Sequence, residues 1–191
     1  MHNKNISQTS FKVKEYALLL GMELWRKDIF KYEKKELRNI IIISGLLHDI
    51  GKASVMNELW NKENQLSNVE WEIMKTHTIA GHAFIQEEVL PPMELPYRKY
   101  FEIAADCCLS HHEWWDGRGY PMNKEKYEMP EIARMIAIVD SFDAMTAERP
   151  YRKNLTWKDA LKEIQIGAGT QFDPTFSNVF IDLMKKNMTQ V

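Results

Sequence analysis

Apolar residues recur along this chain at helical spacing, and no alternating pattern of strand type competes with them. Val13, Tyr16, Ala17, Leu20 and Leu24 fall on one face of a first predicted helix. Residues 36–50 are apolar nearly all round and predict a buried helix stopped by Gly51. Ser67 and Glu70 have capping-box spacing ahead of a long helix. That helix carries Ile73, His77, Ala80, Gly81 and Phe84 on one face. Residues 97–111 predict another, with Ala104, Cys107, Cys108 and His111 inward. Pro130 suits the first turn of a helix through "EIARMIAIVDSFDAM". Thr156 can cap one more, ending near Gly167, and Asp173 with Pro174 starts the last. The expectation is one all-α domain, a bundle of about seven helices over residues 1–191, with polar residues 1–8 read as a flexible N-terminus.

Composition narrows the function classes. The chain has 191 residues, is 45% hydrophobic and carries a net charge of −2. That balance supports a substantial core and argues against gripping a large nucleic acid through the whole surface. The longest apolar run, "IIII" at 40–43 followed by "SGLL", is too short to span a bilayer. Cys107 and Cys108 are adjacent and make no disulfide framework, which favours a reducing compartment. The leading residues are too polar for a signal peptide. A cytoplasmic location is expected.

Ligand-type residues punctuate the apolar helices at four places. His48 and Asp49 end the helix in "LLHDIGK", and His77 lies on an apolar stripe. His111 and His112 end another helix, and Asp140 interrupts "MIAIV" and "SF". A buried carboxylate must be paired, protonated or bound to a cation. Taken singly, each residue has an ordinary reading: a hydrogen-bonded core histidine, a solvated helix end, or an Asp140 paired with Arg134. Taken together, four histidines and two aspartates fit one or two divalent transition metals, with an aspartate able to bridge ions about 3.5–4 Å apart. His82 lies off the face of His77 and is read as structural or exposed. "HHEWWDGRGYP" at 111–121 adds a turn whose Gly117 and Gly119 let the backbone bend. Its aromatics Trp114, Trp115 and Tyr120 have two readings, as stacking surface for a base or as core.

"HDIGK" at 48–52 and "HHEWWDGRGYP" at 111–121 resemble the two signature motifs of HD-GYP domains, a branch of the HD metal-dependent phosphohydrolases. "LWNKENQLSNVEWEIMKTH" at 59–77 and "ARMIAIVDSFDAMTAERPYR" at 133–152 resemble the neighbouring segments. The resemblance implies an HD helical bundle holding two divalent metals, with iron or manganese favoured. It implies hydrolysis of the bacterial messenger cyclic di-GMP to pGpG or GMP. It makes His48, Asp49, His77, His111, His112 and Asp140 the metal ligands, with Asp49 bridging. Lys52 would meet the scissile phosphate or help proton transfer. Gly119, Tyr120 and Pro121 would form the loop beside the substrate, and Arg149 and Arg152 would hold phosphates. Members of the family usually carry a further histidine on the first helix, where this chain has Thr9. Two other readings stay open. One is a degenerate domain that binds nucleotide or a signalling partner, such as a diguanylate cyclase, without turnover. The other is an HD phosphohydrolase acting on another nucleotide.

Overall fold

The computed structural model describes residues 3–56, 59, 62, 65–147 and 154–188. These are helical throughout, apart from loops and two isolated bridges, Asp116 with Glu125 and Ala168 with Phe172. The helices are α1 (Asn3–Arg26), α2 (Lys34–Leu47), α3 (Asn68–Lys75), α4 (His77–Phe84), α5 (Leu95–Ser110), α6 (Glu131–Thr146), α7 (Trp157–Gly167) and α8 (Pro174–Met188). A 3₁₀ turn, Ile50–Ser54, follows α2, and a single π-helical turn, Ile85–Val89, continues α4.

Helix α6 is the centre of the bundle. Ile132, Ala133, Met135, Ile136, Ile138, Val139 and Phe142 are all buried, so this helix is apolar almost all round, as a core helix must be. It packs against α1, α2, α5, α7 and α8. Helix α1 brings Val13, Ala17, Leu20 and Leu24 into the same core, the face its periodicity predicts. Each buried Val, Leu, Ile, Met or Phe among them contributes about 1.5–3 kcal/mol. A smaller core of Ile85, Leu90, Ala105 and Cys108 lies between α4 and α5, with Leu47 and Ile50 against it.

The capping signals are used. Ser67 and Glu70 form the capping box, the Thr156 hydroxyl accepts from the Asp159 N–H, and Asp173 Oδ1 accepts from the N–H groups of Thr175 and Phe176. Cys107 and Cys108 are free thiols, and both are held far into the protonated range, first by burial.

Three boundaries differ from expectation. The single long helix after Ser67 is two, α3 and α4, meeting at Thr76. Ile73 and Phe84 are exposed rather than lining a core face. Helix α2 ends at Leu47 with His48 as its C-cap, Asp49 is the N-cap of the 3₁₀ turn, and only Ile50, Gly51 and Lys52 of the motif lie in that turn. Pro130 is the N-cap of α6 rather than a residue of its first turn. Among the described residues, no helix is long and apolar enough to cross a membrane.

Candidate metal centre

The end of α2 sets the site. His48 is still tied to the helix, its N–H donating to Ser44 O at 2.9 Å. Asp49 then turns out of helical geometry, with φ −105° and ψ 12°. This reversal aims consecutive side chains at one point. The turn is pressed onto α4: a Cβ on Gly51 would lie 2.0 Å from His77 O and 2.3 Å from Gly81 N. Only glycine permits this approach, which sets Asp49 beside His77.

Three imidazoles are oriented alike. Nδ1 of His48 lies 3.0 Å from Gly45 O, Nδ1 of His77 is 2.7 Å from Met74 O, and Nδ1 of His111 is 2.9 Å from Cys108 O. A carbonyl can only accept, so each Nδ1 carries the hydrogen and each Nε2 faces inward. Around Asp49, His77 Nε2 is 3.4 Å and His111 Nε2 3.7 Å from Oδ1, and His48 Nε2 is 3.3 Å from Oδ2. His48 Nε2 is also 3.6 Å from Asp140 Oδ1. His112 completes the cluster, its ring centroid 5.1 Å from that of His77 and 4.0 Å from that of His111.

Two donor groups therefore share one carboxylate. Asp49, His77, His111 and His112 bring ligand atoms within 4.8 Å of one another, and so do His48, Asp49 and Asp140. Nε2 of His48, His77 and His111 and Oδ1 of Asp49 are buried and have no hydrogen-bonding partner among the described residues. Buried polar atoms left in this way are costly. A divalent ion with donors at about 2.0–2.2 Å spaces them by roughly 3.0–3.4 Å, near the spacing found. The nitrogen and carboxylate donors fit a divalent transition metal.

The electrostatics follow from the crowding. For His48, burial opposes protonation, but Asp49 and Asp140 outweigh it and push the imidazolium up to about 10. Burial, with His111 adding, pushes His77 down to about 4 and His112 well below its ordinary value. Asp49 is held well below the carboxylate range by Lys52 and His48 against the penalty of burial. Asp140 is lowered chiefly by His48, again against burial. Without an ion, a protonated His48 supplies the positive charge between the two carboxylates, while His77 and His112 stay in the neutral form that ligates metal.

The remaining expected residues divide. Lys52 Nζ reaches Asp49 Oδ2 at 2.5 Å, inside the site. Tyr120 stacks on His112 with ring centroids 4.9 Å apart, and Pro121 follows it in the same loop. Gly119 is buried, and a Cβ there would strike Trp114 N at 2.2 Å. Arg149 and Arg152 lie outside the described residues. His82 donates through Nδ1 to Ala105 O at 3.1 Å and takes no part in the cluster. Arg134 pairs with Asp173 at 2.5 Å, which leaves Asp140 to the site. Neither Trp114 nor Trp115 is fully buried. Trp115 packs against Tyr127 and under Arg134, and Trp114 faces Arg118.

Sequence reasoning missed Glu113. Its buried carboxylate accepts from Met122 N at 2.6 Å and Lys124 N at 3.1 Å, and so closes the loop. A lone acid between two histidines and two tryptophans gave a signal, but no partner for it is visible in the chain. Burial raises its pKa, and these backbone donors work against that rise.

The model of a family described as "HD domain" matches residues 23–176. The chain belongs to this family. Its paired motifs place it in the HD-GYP branch. It is 35% identical over 140 residues to a Thermotoga maritima protein named cyclic di-GMP phosphodiesterase, covering 73% of this chain and 36% of that protein. It is 34% identical over 131 residues to a Vibrio cholerae protein named 3'3'-cGAMP-specific phosphodiesterase 3, covering 69% of this chain and 26% of that protein. The chain thus spans about a third or less of the length of these relatives. A solved structure titled Bd1817, a HDG"Y"P protein from Bdellovibrio bacteriovorus, superposes with TM-score 0.69 at 18% identity, over 95% of this chain and 53% of that one. At that identity the likeness speaks for the fold.

Proposed function

We propose that this domain is a metal-dependent phosphodiesterase that hydrolyses cyclic di-GMP to pGpG or GMP, as a single catalytic unit. The observation that carries the reading is the shared carboxylate: two donor groups meet on Asp49, with Lys52 on its outer oxygen and the Tyr120 loop alongside. We assign His77, His111 and His112 to one divalent ion, His48 and Asp140 to a second, and Asp49 to both. Iron or manganese suits this nitrogen and oxygen set. Bound there, such ions supply Lewis acidity to a phosphoryl oxygen and lower the pKa of water.

The chain's own residues do the rest. The backbone carbonyls of Gly45, Met74 and Cys108 hold the imidazoles in one tautomer. Lys52 carries a positive charge to where negative charge grows on the phosphate, and it can pass a proton to the leaving oxygen. Gly119, Tyr120 and Pro121 shape the wall against which a nucleotide rests. Arg149 and Arg152 are assigned to phosphate contact on the resemblance of "RPYR" alone. The substrate class is a cyclic dinucleotide, met in the cytoplasm, with a diguanylate cyclase or another signalling protein as the partner.

The test is product formation from cyclic di-GMP by protein loaded anaerobically with manganese or ferrous iron. Turnover that disappears in His48→Ala and Asp49→Ala is the expected result. A protein that binds the dinucleotide yet forms no product with any metal overturns the reading. One observation favours that second outcome: α1 carries Thr9 where the HD-GYP branch usually has a histidine. The domain would then be a nucleotide or partner sensor.

A further inference from the structure

We propose that Trp71 is a base-stacking residue of this site, holding one purine of the dinucleotide and so contributing to specificity rather than chemistry. The inference rests on the phosphodiesterase reading and extends it to a residue on α3. Trp71 is 47% exposed, a large apolar ring left open to solvent. It is not part of what anchors its helix: Met74 does that, buried with Val55, Leu59 and Leu66. The indole instead meets Tyr120, centroids 6.1 Å apart and planes at 80°. Tyr120 in turn lies nearly parallel to His112. Three rings thus run outward from the donor cluster to the surface, His112, Tyr120 and Trp71.

A second feature of α3 marks the same place. Lys75, one turn after Trp71, sets Nζ 5.7 Å from the Tyr120 ring centroid. Its salt bridge to Glu72, at 2.8 Å, is weak because the Glu72 carboxylate stands largely in solvent. The lip of the site therefore offers a flat aromatic surface and a cation side by side. A purine held near a bound phosphate suits both, through stacking on the ring and through the lysine charge beside its polar edge. Trp71 on α3 faces the Tyr120 loop, while His77 at the start of α4 faces the donor cluster.

The experiment compares two substrates on the manganese-loaded protein: cyclic di-GMP, and bis-p-nitrophenyl phosphate, which has no base. Trp71→Ala and Trp71→Leu are expected to raise KM for cyclic di-GMP about tenfold, as loss of one stacked base implies. Their kcat stays within about twofold and the base-free substrate is unaffected. Trp71→Phe recovers most of the loss. Recovery by Trp71→Leu as well, or equal loss on both substrates, overturns the proposal and makes Trp71 a packing residue for Tyr120. An unchanged KM overturns it too. If the wild type hydrolyses neither substrate, the phosphodiesterase reading fails by itself. The stacking is then read by calorimetric titration with cyclic di-GMP: binding weakened about tenfold in Trp71→Leu sustains it, while equal affinities, or no binding by the wild type, overturn it.

Discussion

The buried carboxylate of Glu113 accepts hydrogen bonds from the backbone N–H groups of Met122 and Lys124, and so closes the loop that carries Gly119, Tyr120 and Pro121. Glu113→Ala leaves both donors without that partner, at about 1–3 kcal/mol. A lower Tm and a rise in KM for the dinucleotide are expected together. Glu113→Gln can accept only through one oxygen and should fall between the two. Thermal unfolding and steady-state kinetics on the three proteins check this.

Gly51 is fixed by backbone, not by side chains that can move aside. Gly51→Ala places a methyl into His77 O and Gly81 N. The motif turn and α4 must then separate. A loss of more than about 3 kcal/mol, with loss of metal binding, is expected. Gly169→Ala is the control: its φ is +85° and nothing lies within 4 Å of the added atom. Strain there costs about 1–2 kcal/mol and leaves the metals in place. Denaturant titrations and metal assays of both variants separate the cases.

The charges of the cluster predict a stability optimum for the chelator-treated protein. His48 has its folded pKa raised to about 10, so its contribution is whole below its unfolded value of about 6.5 and is lost as pH rises towards 10. His77 has its folded pKa lowered to about 4, so stability is lost as pH falls from about 6.5 towards 4. Tm of the metal-free protein should therefore peak near neutrality and decline on both sides. His48→Ala should flatten the alkaline limb. A Tm that climbs steadily from pH 7 to 10 in the wild type contradicts the charge assignment.

Arg134 sits among Trp115, Tyr127 and Phe176 and pairs with Asp173. The same region braces the loop, since Trp115 N–H donates to Gln171 O and Asp116 N–H to Thr170 O. Arg134→Met leaves a buried carboxylate unpaired, at about 3–5 kcal/mol. The double variant Arg134→Met with Asp173→Asn should recover much of that loss. Urea unfolding of the single and double variants measures it.

Much of this was legible in the sequence. The apolar runs around Ile40 and Ile136 give the two helices that carry His48 and Asp140, because a helix apolar all round has to lie in the core. The cluster of His48, Asp49, His77, His111, His112 and Asp140 was legible as a set, since ligand residues interrupting apolar stretches need a reason to be there. The break at Thr76 was not, because nothing in "EWEIMKTHTIAGH" interrupts helical periodicity; the close approach of Gly51 to α4 accompanies it. Glu113 and the pairing of Arg134 with Asp173 depend on partners up to 39 residues away, which local pattern does not encode. Nothing local marks Trp71, because its ring neighbour Tyr120 lies in a separate loop far along the chain.

Metal content is the most direct test of the shared carboxylate. Protein purified without oxygen should hold about two divalent ions per chain. Asp140→Asn should lose one of them, His112→Ala the other, and Asp49→Asn both, with circular dichroism confirming the fold in each. A wild type without metal, or an Asp49→Asn variant that keeps its full complement, contradicts a centre built on Asp49.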